Sequence, residues 1–212
     1  MLAASYTLIA TFRKYFITLF MFCCVVEIFA QDNCKLRKDE DGIKVYTCHV
    51  DSSKFKSIVS EFDISCSSED LIRAVNDIPG YTKWQFNTRE AKLISHISET
   101  EKIYRTIIAA PWPVTDRDMV VHLRISKNEN DILITTDSES GIMAEQPDLV
   151  RVPFSHAQWI VTSKSKNQLH VKYTMLIDPG GSVPAWLANW TCANAPLQSF
   201  QNLKAMLTKT RP

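Results

Sequence analysis

The sequence predicts an α+β domain in which one strongly curved antiparallel sheet is followed by a long C-terminal helix. Short segments with apolar residues at every second position recur between short polar turns, which is typical of antiparallel strands. One early segment and the last segment instead carry apolar residues every three or four positions, which is typical of helices with one buried face. No linker rich in Pro, Gly or Ser divides the 212 residues, so we expect a single domain.

The first thirty residues differ from the rest of the chain. Arg13 and Lys14 precede an apolar run at 15–26, and Ala30 is a small residue before an expected cleavage at Gln31. This order is typical of an export signal. We therefore expect a signal peptide at 1–30 and a mature domain at 31–212, in a periplasmic or secreted protein. The alternative is an uncleaved N-terminus that anchors the protein in a membrane.

The charge of the mature chain bears on its partners. Removal of residues 1–30 takes two of the 24 basic residues and one of the 23 acidic ones, which leaves 22 of each. Binding to nucleic acid depends on clustered excess Lys and Arg. A neutral balance gives no reason to expect a nucleic acid as partner.

Four cysteines remain after the signal peptide is removed. A three-residue turn at 40–42 with Gly in a left-handed conformation would place Cys34 opposite Cys48 in a hairpin. An exported protein can oxidise such a pair to a disulfide, and the alternative is two reduced cysteines on a half-buried hairpin. We expect Cys66 and Cys192 to be buried thiols.

The remaining elements follow from changes in periodicity. A strand is expected at 54–64, and Ser67-Ser-Glu-Asp70 then resembles a capping box that begins a helix at 68–78, which Pro79-Gly80 ends. Further strands are expected at 89–98, 102–109, 118–126, 131–138, 149–154, 157–164 and 168–177. The last strand has one apolar face and leads through Asp178-Pro-Gly-Gly181 into the long helix, for which Ser182 is the expected N-cap.

Several catalytic classes lack their motifs in this sequence. Five glycines are too few, and too scattered, for a dinucleotide fingerprint or a phosphate-binding loop. The five histidines are also scattered through the sequence, so we expect no metal site and no cofactor.

Arg117 lies between two carboxylates, Asp116 and Asp118, just after a corner that contains Trp112 between two prolines. A guanidinium in this position can bind a carboxylate through two parallel hydrogen bonds. Two interpretations stay open at this point. The arginine either forms an ion pair at the rim of the sheet, or it is a polar anchor that faces the polar group of a ligand.

Three segments together resemble the START-domain family of lipid-binding proteins. They are Tyr81-Thr-Lys-Trp84, the stretch from Pro111 to Val120 (Pro-Trp-Pro-Val-Thr-Asp-Arg-Asp-Met-Val), and the stretch from Asp178 to Asn189 (Asp-Pro-Gly-Gly-Ser-Val-Pro-Ala-Trp-Leu-Ala-Asn). The resemblance covers about residues 35–208. It implies a helix-grip fold, in which the curved sheet wraps the C-terminal helix around an internal tunnel that holds one lipid.

The resemblance also implies roles for particular residues. The tunnel wall is expected to include Met119, Val121, Leu123, Tyr173, Met175, Ile177, Leu187 and Trp190. Arg117 and Asp118 are expected as the polar anchor, and Arg117 as one partner of a buried ion pair with Asp116, Asp118, Glu99 or Glu101. Gly180, Gly181 and Pro196 are expected to let the helix move as a lid.

We therefore expect a monomeric lipid-binding protein without enzymatic activity that serves lipid transport or sensing, with a sterol, phospholipid or fatty-acid-like ligand and transient contact with membranes. One alternative is an enzyme of the same fold that acts on an apolar substrate through His156, Tyr173 or an Asp/Arg pair. The other is a protein-interaction module that uses Trp84, Trp112 and Trp186 as exposed anchors.

Overall fold

The computed structural model describes residues 33–129, 131–183 and 185–209, with the backbone alone at 185–186, 188–190 and 209. The expected signal peptide at 1–30 lies outside these residues. The strands are β1 Cys34–Glu40, β2 Ile43–Cys48, β3 Ser57–Ile64, β4 Thr88–Ser98, β5 Glu101–Ile108, β6 Arg117–Lys127, β7 Asp131–Ser138, β8 Val150–Arg151, β9 Phe154–Ser165 and β10 Gln168–Asp178. The helices are α1 Ser68–Asn76, α2 Tyr81–Trp84 and α3 Ala185–Lys209, with a 3₁₀ turn at Ile78–Gly80.

The strands form one curved sheet in the order β1-β2-β3-β10-β9-β7-β6-β5-β4. Every neighbouring pair in this order is antiparallel, and the short β8 lies parallel to β6. The last helix, α3, packs against β1, β2, β3 and α2. This is the helix-grip arrangement, and the predicted fold class is confirmed.

The N-terminal hairpin turns through two residues rather than the predicted three. Asp41 and Gly42 have positive φ angles of 53° and 70°, and Glu40 pairs directly with Ile43. Two consecutive left-handed residues give a turn whose twist matches that of the flanking strands, and Asp-Gly is a favoured pair there. The expected three-residue loop is therefore wrong.

A bulge in β1 nevertheless brings the two hairpin cysteines together. The register shifts by one residue between Leu36 and Lys38. Cys34 therefore lies opposite Cys48, and the two form a disulfide. Because β1 is an edge strand and most of its residues are exposed, this bond joins it covalently to the buried strand β2.

The segment after β3 begins as the capping signal predicted. The Ser67 hydroxyl accepts a hydrogen bond from the backbone N–H of Asp70 at 3.1 Å, which caps α1. The helix ends at Asn76 rather than at 78, because Asp77 leaves the helical conformation and caps the following 3₁₀ turn. Helix α2, at Tyr81–Trp84, was not predicted.

The predicted strand at 149–154 is much shorter in the structure. Only Val150 and Arg151 form β8, and β9 already begins at Phe154. Pro153 lies between them and has no N–H to contribute to a strand ladder. The chain therefore changes partner at this residue, from β6 to β7 and β10.

Helix α3 has two parts that meet different surroundings. Its C-terminal part buries Leu197, Phe200, Leu203 and Leu207 in the main apolar core. The Phe200 ring lies 4.6 Å from the ring of Phe62 on β3. The helix begins at Ala185, three residues beyond the predicted N-cap Ser182. None of the helices among the described residues combines the length and hydrophobicity that a membrane-spanning helix needs.

Candidate ligand-binding cavity

A partly open cavity of about 310 Å³ lies between the sheet and the N-terminal part of α3. Ligand sites in proteins have volumes of about 300–1,000 Å³. The wall comes from strands β3 to β7, β9 and β10, and the other side from α1, α2 and α3. Because strand side chains alternate between faces, each strand contributes every second residue to this wall.

Six aromatic side chains form one continuous part of the wall. Their ring centroids lie 5.2–6.3 Å apart and their planes are close to perpendicular, at 71–89°. These rings belong to Tyr81, Trp84, Tyr104, Trp159, Tyr173 and Phe200. Edge-to-face contacts of this kind stabilise a fixed ring arrangement. This part of the wall is therefore built from two helices and three strands that hold each other in place.

Most of the residues predicted for the wall line the cavity. These are Met119, Val121, Tyr173, Met175, Ile177 and Leu187. Leu123 does not, and this expectation is corrected. It lies on the same face of β6 as Met119 and Val121, but it is fully buried within the core beyond the cavity. The side chain of Trp190 lies outside the described residues.

Five of the six aromatic wall residues were missed by the sequence analysis, which selected Tyr173 alone. Tyr104, Thr106 and Ile108 alternate along β5 and all face the cavity. The same period-two signal that selected β6 and β10 is therefore present in β5 and could have found them. Trp84 gave no such signal, because its position depends on the unpredicted helix α2.

Arg117 is the one charged side chain among the described residues that line the cavity. It is 8% exposed. Its Nη1 donates a hydrogen bond to the carbonyl of Thr115, and its Nη2 donates to the carbonyl of Gly180 at 3.5 Å. Burial lowers the pKa of Arg117, and the nearby charge of Asp116 offsets this only in part.

No acidic side chain in the described part of the chain forms an ion pair with Arg117. Asp116 instead binds Arg89 Nη1 at 2.5 Å and accepts the backbone N–H of Ala110 at 2.9 Å. The remaining candidates, Glu99 and Glu101, face His96 at 3.5 Å and His122 at 2.7 Å. The expected buried ion pair of Arg117 is therefore wrong.

Asp118 lies on the other face of β6, and its expected role as a ligand anchor is corrected. Adjacent strand residues point to opposite faces, so Asp118 cannot share the cavity with Arg117. Its carboxylate is fully buried and binds Arg151 Nη2 at 2.9 Å and Arg105 Nε at 3.2 Å. Burial raises the pKa of Asp118, but hydrogen bonds and charge from Arg151 and Arg105 outweigh it and hold the pKa below its usual value.

Comparison with known proteins identifies the family. The family model of the START domain matches residues 35–211. An uncharacterized protein of Pseudomonas aeruginosa is 32% identical over 179 residues, which cover 84% of this chain and 88% of that protein. The chain belongs to the START-domain family.

Solved structures agree with this START assignment. The STAR-related lipid transfer protein of Xanthomonas axonopodis is 28% identical, with a TM-score of 0.76 over 84% of this chain and 99% of that chain. Human StAR-related lipid transfer protein 5 is 16% identical, with a TM-score of 0.73 over 96% of this chain and 98% of that chain. The human protein is similar in fold.

The predicted hinge residues of this START domain lie at the edge of the cavity. Gly180 and Gly181 have positive φ angles of 65° and 57°. A Cβ atom at Gly180 would lie 2.8 Å from the carbonyl oxygen of Arg151. Both the backbone conformation and the close approach to β8 therefore require glycine at this position.

Pro196 lies inside α3, where the helix passes from the cavity to the core. Proline has no N–H to donate to the carbonyl of Cys192, so one helical hydrogen bond is absent there. Three residues further on, the Ser199 hydroxyl donates to the carbonyl of Ala195 at 2.8 Å and accepts the N–H of Phe86 at 2.9 Å. The helix is thus fixed to the α2–β4 connection just C-terminal to Pro196.

Three buried polar atoms in the lining of the START cavity have no hydrogen-bond partner among the described residues. They are the indole Nε1 of Trp84 and the hydroxyls of Thr88 and Thr106. Buried polar groups in proteins are usually hydrogen-bonded. The sequence did not predict these three unpaired groups, because the pattern of a strand does not show whether a polar side chain on it will have a hydrogen-bond partner.

Of the groups named for the two alternative functions, Tyr173 and Trp84 line the cavity, whereas His156 and Trp112 do not. His156 is on the face opposite its cavity-lining neighbours, with Nδ1 2.6 Å from Asp137 Oδ1. Tyr173 lines the cavity, and burial raises its pKa far above the usual value, so it stays protonated. Trp84 is buried, Trp112 is 91% exposed and the side chain of Trp186 lies outside the described residues.

In the described ranges, no three His, Cys, Asp or Glu side chains converge as metal ligands would.

Proposed function

We propose that this START domain binds one lipid molecule in the cavity between the sheet and α3. The observation that carries the proposal is the cavity itself, whose described lining is apolar and aromatic except for a few hydroxyls and amides and one cation. Such a site suits a ligand with a large apolar body and a small polar end. Binding of this kind needs no catalytic group, so we propose a non-enzymatic protein.

The driving force for binding follows from the area that a lipid removes from water. Burial of apolar surface contributes about 25 cal/mol per Å², or about 0.8 kcal/mol per methylene. A chain of about a dozen methylenes therefore gains on the order of 10 kcal/mol before the costs of immobilisation. Met119 and Met175 in the wall have flexible side chains that adapt to an irregular ligand.

The biological role that we propose is transport or sensing of the bound lipid by a monomer. The Xanthomonas relative is described as a lipid transfer protein. Transfer requires contact with a membrane, and Trp112 suits such contact because it is exposed between Pro111 and Val114, which line the cavity. An exposed tryptophan readily enters the interface between lipid and water.

We further propose that the protein is exported and acts in the periplasm or outside the cell. The charged and apolar pattern of residues 1–30 supports this location. The disulfide between Cys34 and Cys48 also supports it, because disulfides persist in oxidising compartments.

Native mass spectrometry tests the proposed function directly. The full-length gene is expressed in its own host, and the mature protein is purified without detergent and sprayed under native conditions. We expect a protein ion that carries one lipid of a defined class, released on collisional activation. A ligand-free ion from the host, combined with no uptake of added lipid from vesicles, would reject lipid binding.

A further inference from the structure

The buried cation in the cavity wall is the strongest indication of which lipid the protein binds. Arg117 has five N–H donors, and among the described residues only two of them have acceptors, both neutral carbonyl oxygens. The two neighbouring carboxylates, of Asp116 and Asp118, are bound to Arg89, Arg105 and Arg151 instead. Among the described residues, the guanidinium in the cavity therefore has no carboxylate bound to it.

Folding already removes most of the Arg117 side chain from water, so a ligand that binds there does not bear that desolvation cost. Arg117 is bound to the connection between β10 and α3 through the Gly180 carbonyl, and its exposure is small. An anion that enters the cavity would gain a charge-assisted hydrogen bond in a region of low dielectric. A neutral polar group would gain less, because it leaves the positive charge without compensation.

Two unpartnered hydroxyls lie close to this cation in the sheet. Thr88 pairs with Ile108 on β5, and Ile108 pairs with Arg117 on β6, so the three residues form one row across three strands. Thr106 is one inward-facing position further along β5 and pairs with Met119. Neighbouring strands are about 4.8 Å apart. The unpartnered hydroxyls and the guanidinium thus lie within a few strand spacings of each other on the cavity face.

From this arrangement we propose that the ligand is a lipid with an anionic end, a carboxylate or a phosphate, which binds the guanidinium of Arg117. The proposal rests on the proposed function and names the chemical class of its ligand. Thr88 and Thr106 can donate further hydrogen bonds to the same anion or to the polar atoms next to it. A sterol or another neutral lipid would use the apolar wall and leave Arg117 without a counter-charge.

The test compares three ligands with the same chain and different ends. Hexadecanoic acid, hexadecyl phosphate and hexadecan-1-ol are added at neutral pH to delipidated protein, and affinity is measured by displacement of a fluorescent fatty-chain probe. We expect the two anions to bind about 10- to 100-fold more tightly than the alcohol, as for other hydrogen bonds to charged groups. The ratio between carboxylate and phosphate then shows which anion the site prefers.

Variants of Arg117 connect this preference to the proposed contact. In Arg117→Met the anion-to-alcohol ratio should fall to about one, and Arg117→Lys should retain most of the preference because it retains the charge. Arg124→Met is the matched control. It removes a guanidinium from the same strand, but from the opposite face, where Arg124 binds Asp137 at 3.1 Å.

The outcomes separate this inference from the proposed function. Equal affinity of the wild type for the acid and the alcohol would overturn the anionic ligand and leave lipid binding intact. A preference for anions that persists in folded Arg117→Met would overturn the role of Arg117. Binding of none of the three chains, together with a lipid-free protein from the host, would overturn both proposals. If Arg117→Met does not fold, the wild-type ratio and Arg117→Lys decide.

Discussion

Met175 is the wall residue whose replacement separates binding from folding. It lies on β10 with its side chain against the cavity, where the Tyr173 hydroxyl donates a hydrogen bond to its Sδ at 3.0 Å. Tryptophan at this position would extend into empty space rather than into packed neighbours, so the usual overpacking cost of about 1–3 kcal/mol should be reduced. We expect Met175→Trp to remain folded and to lose lipid uptake by more than about tenfold, measured by vesicle-to-protein transfer.

Lys172→Trp is the matched control for this variant. It introduces the same side chain on the same strand, but at an exposed position on the other face. It should bind lipid like the wild type. If Met175→Trp unfolds while the lipid bound per folded molecule stays constant, Met175 belongs to the packed core and not to the ligand site.

Asp118 should contribute to stability rather than to binding. Replacing it by Asn removes the closest carboxylate from two buried guanidinium groups, and Arg105 keeps only the more distant Glu90 at 3.9 Å. Loss of one partner of a buried ion pair costs about 3 kcal/mol or more. We expect Asp118→Asn to lower the free energy of unfolding by about this amount at neutral pH, measured by urea titration. Asp63→Asn removes an exposed carboxylate and should cost less than about 1 kcal/mol.

The loss of unfolding free energy in Asp118→Asn should depend on pH in one direction only. The folded state lowers the pKa of Asp118, so its contribution is complete above the unfolded pKa of about 3.9 and is lost as the pH falls through the folded value. The difference in unfolding free energy between wild type and Asp118→Asn should therefore be constant near neutral pH and shrink in acid below about pH 4. A difference that grows in acid would contradict the ion-pair assignment.

Periodicity predicted which face of a strand a residue lies on better than it predicted whether that residue reaches the cavity or the packed core. Met119, Val121 and Leu123 share one face of β6 in the sequence pattern and in the structure. Only the first two reach the cavity, because Leu123 meets core side chains that come from distant segments. The sequence likewise showed Arg117 between two acids, but not that these acids bind other arginines from β5, β8 and the start of β4.

At the scale of elements, the connection between β10 and α3 requires glycine at position 180. Gly180→Ala would combine a left-handed backbone, which costs about 1–2 kcal/mol for a residue with a Cβ, with a Cβ only 2.8 Å from the Arg151 carbonyl. Because backbone must shift to relieve this contact, we expect a loss of more than about 2 kcal/mol in unfolding free energy, measured by urea titration. The rate of lipid release, measured by transfer to vesicles, should rise.

Gly141→Ala gives the matched control for the backbone effect. Gly141 also has a positive φ, of 78°, but no atom lies within 4 Å of its expected Cβ. This variant should lose only about 1–2 kcal/mol and should release lipid at the wild-type rate. Equal effects of the two substitutions would show that the approach of Gly180 to β8 adds nothing to the backbone cost.

Elements with long, regular patterns were predicted well, and elements that depend on tertiary contacts were not. Strands β4 to β7 and β10 begin and end within one residue of the predicted bounds. Helix α2 has four residues, too few for a periodic signal, and its stability comes from burying Tyr81 and Trp84. In the same way, β8 exists only where Val150 and Val152 donate hydrogen bonds to carbonyl oxygens of the β6 segment.

At the scale of the whole molecule, the described chain has one end that stabilises α3 and another that contains the cavity. The turn of the N-terminal hairpin binds α3 directly, since Lys204 Nζ donates to the Asp41 carbonyl at 2.8 Å and Gln201 Nε2 to the Asp41 carboxylate at 2.6 Å. No residue of β1 or β2 lines the cavity. The C-terminal part of α3 is thereby fixed, while its N-terminal part covers the cavity.

The disulfide should therefore affect stability and leave ligand binding unchanged. Cys34 and Cys48 are 14 residues apart, and closing a loop of this length contributes about 3 kcal/mol in the chain-entropy model. We expect the double variant Cys34→Ser/Cys48→Ser to lose about 2–3 kcal/mol of unfolding free energy in urea and to bind lipid like the wild type. A reducing agent should lower the stability of the wild type to that of the variant and should leave the variant unchanged. Loss of lipid binding in the folded variant would show that the hairpin controls the cavity through α3.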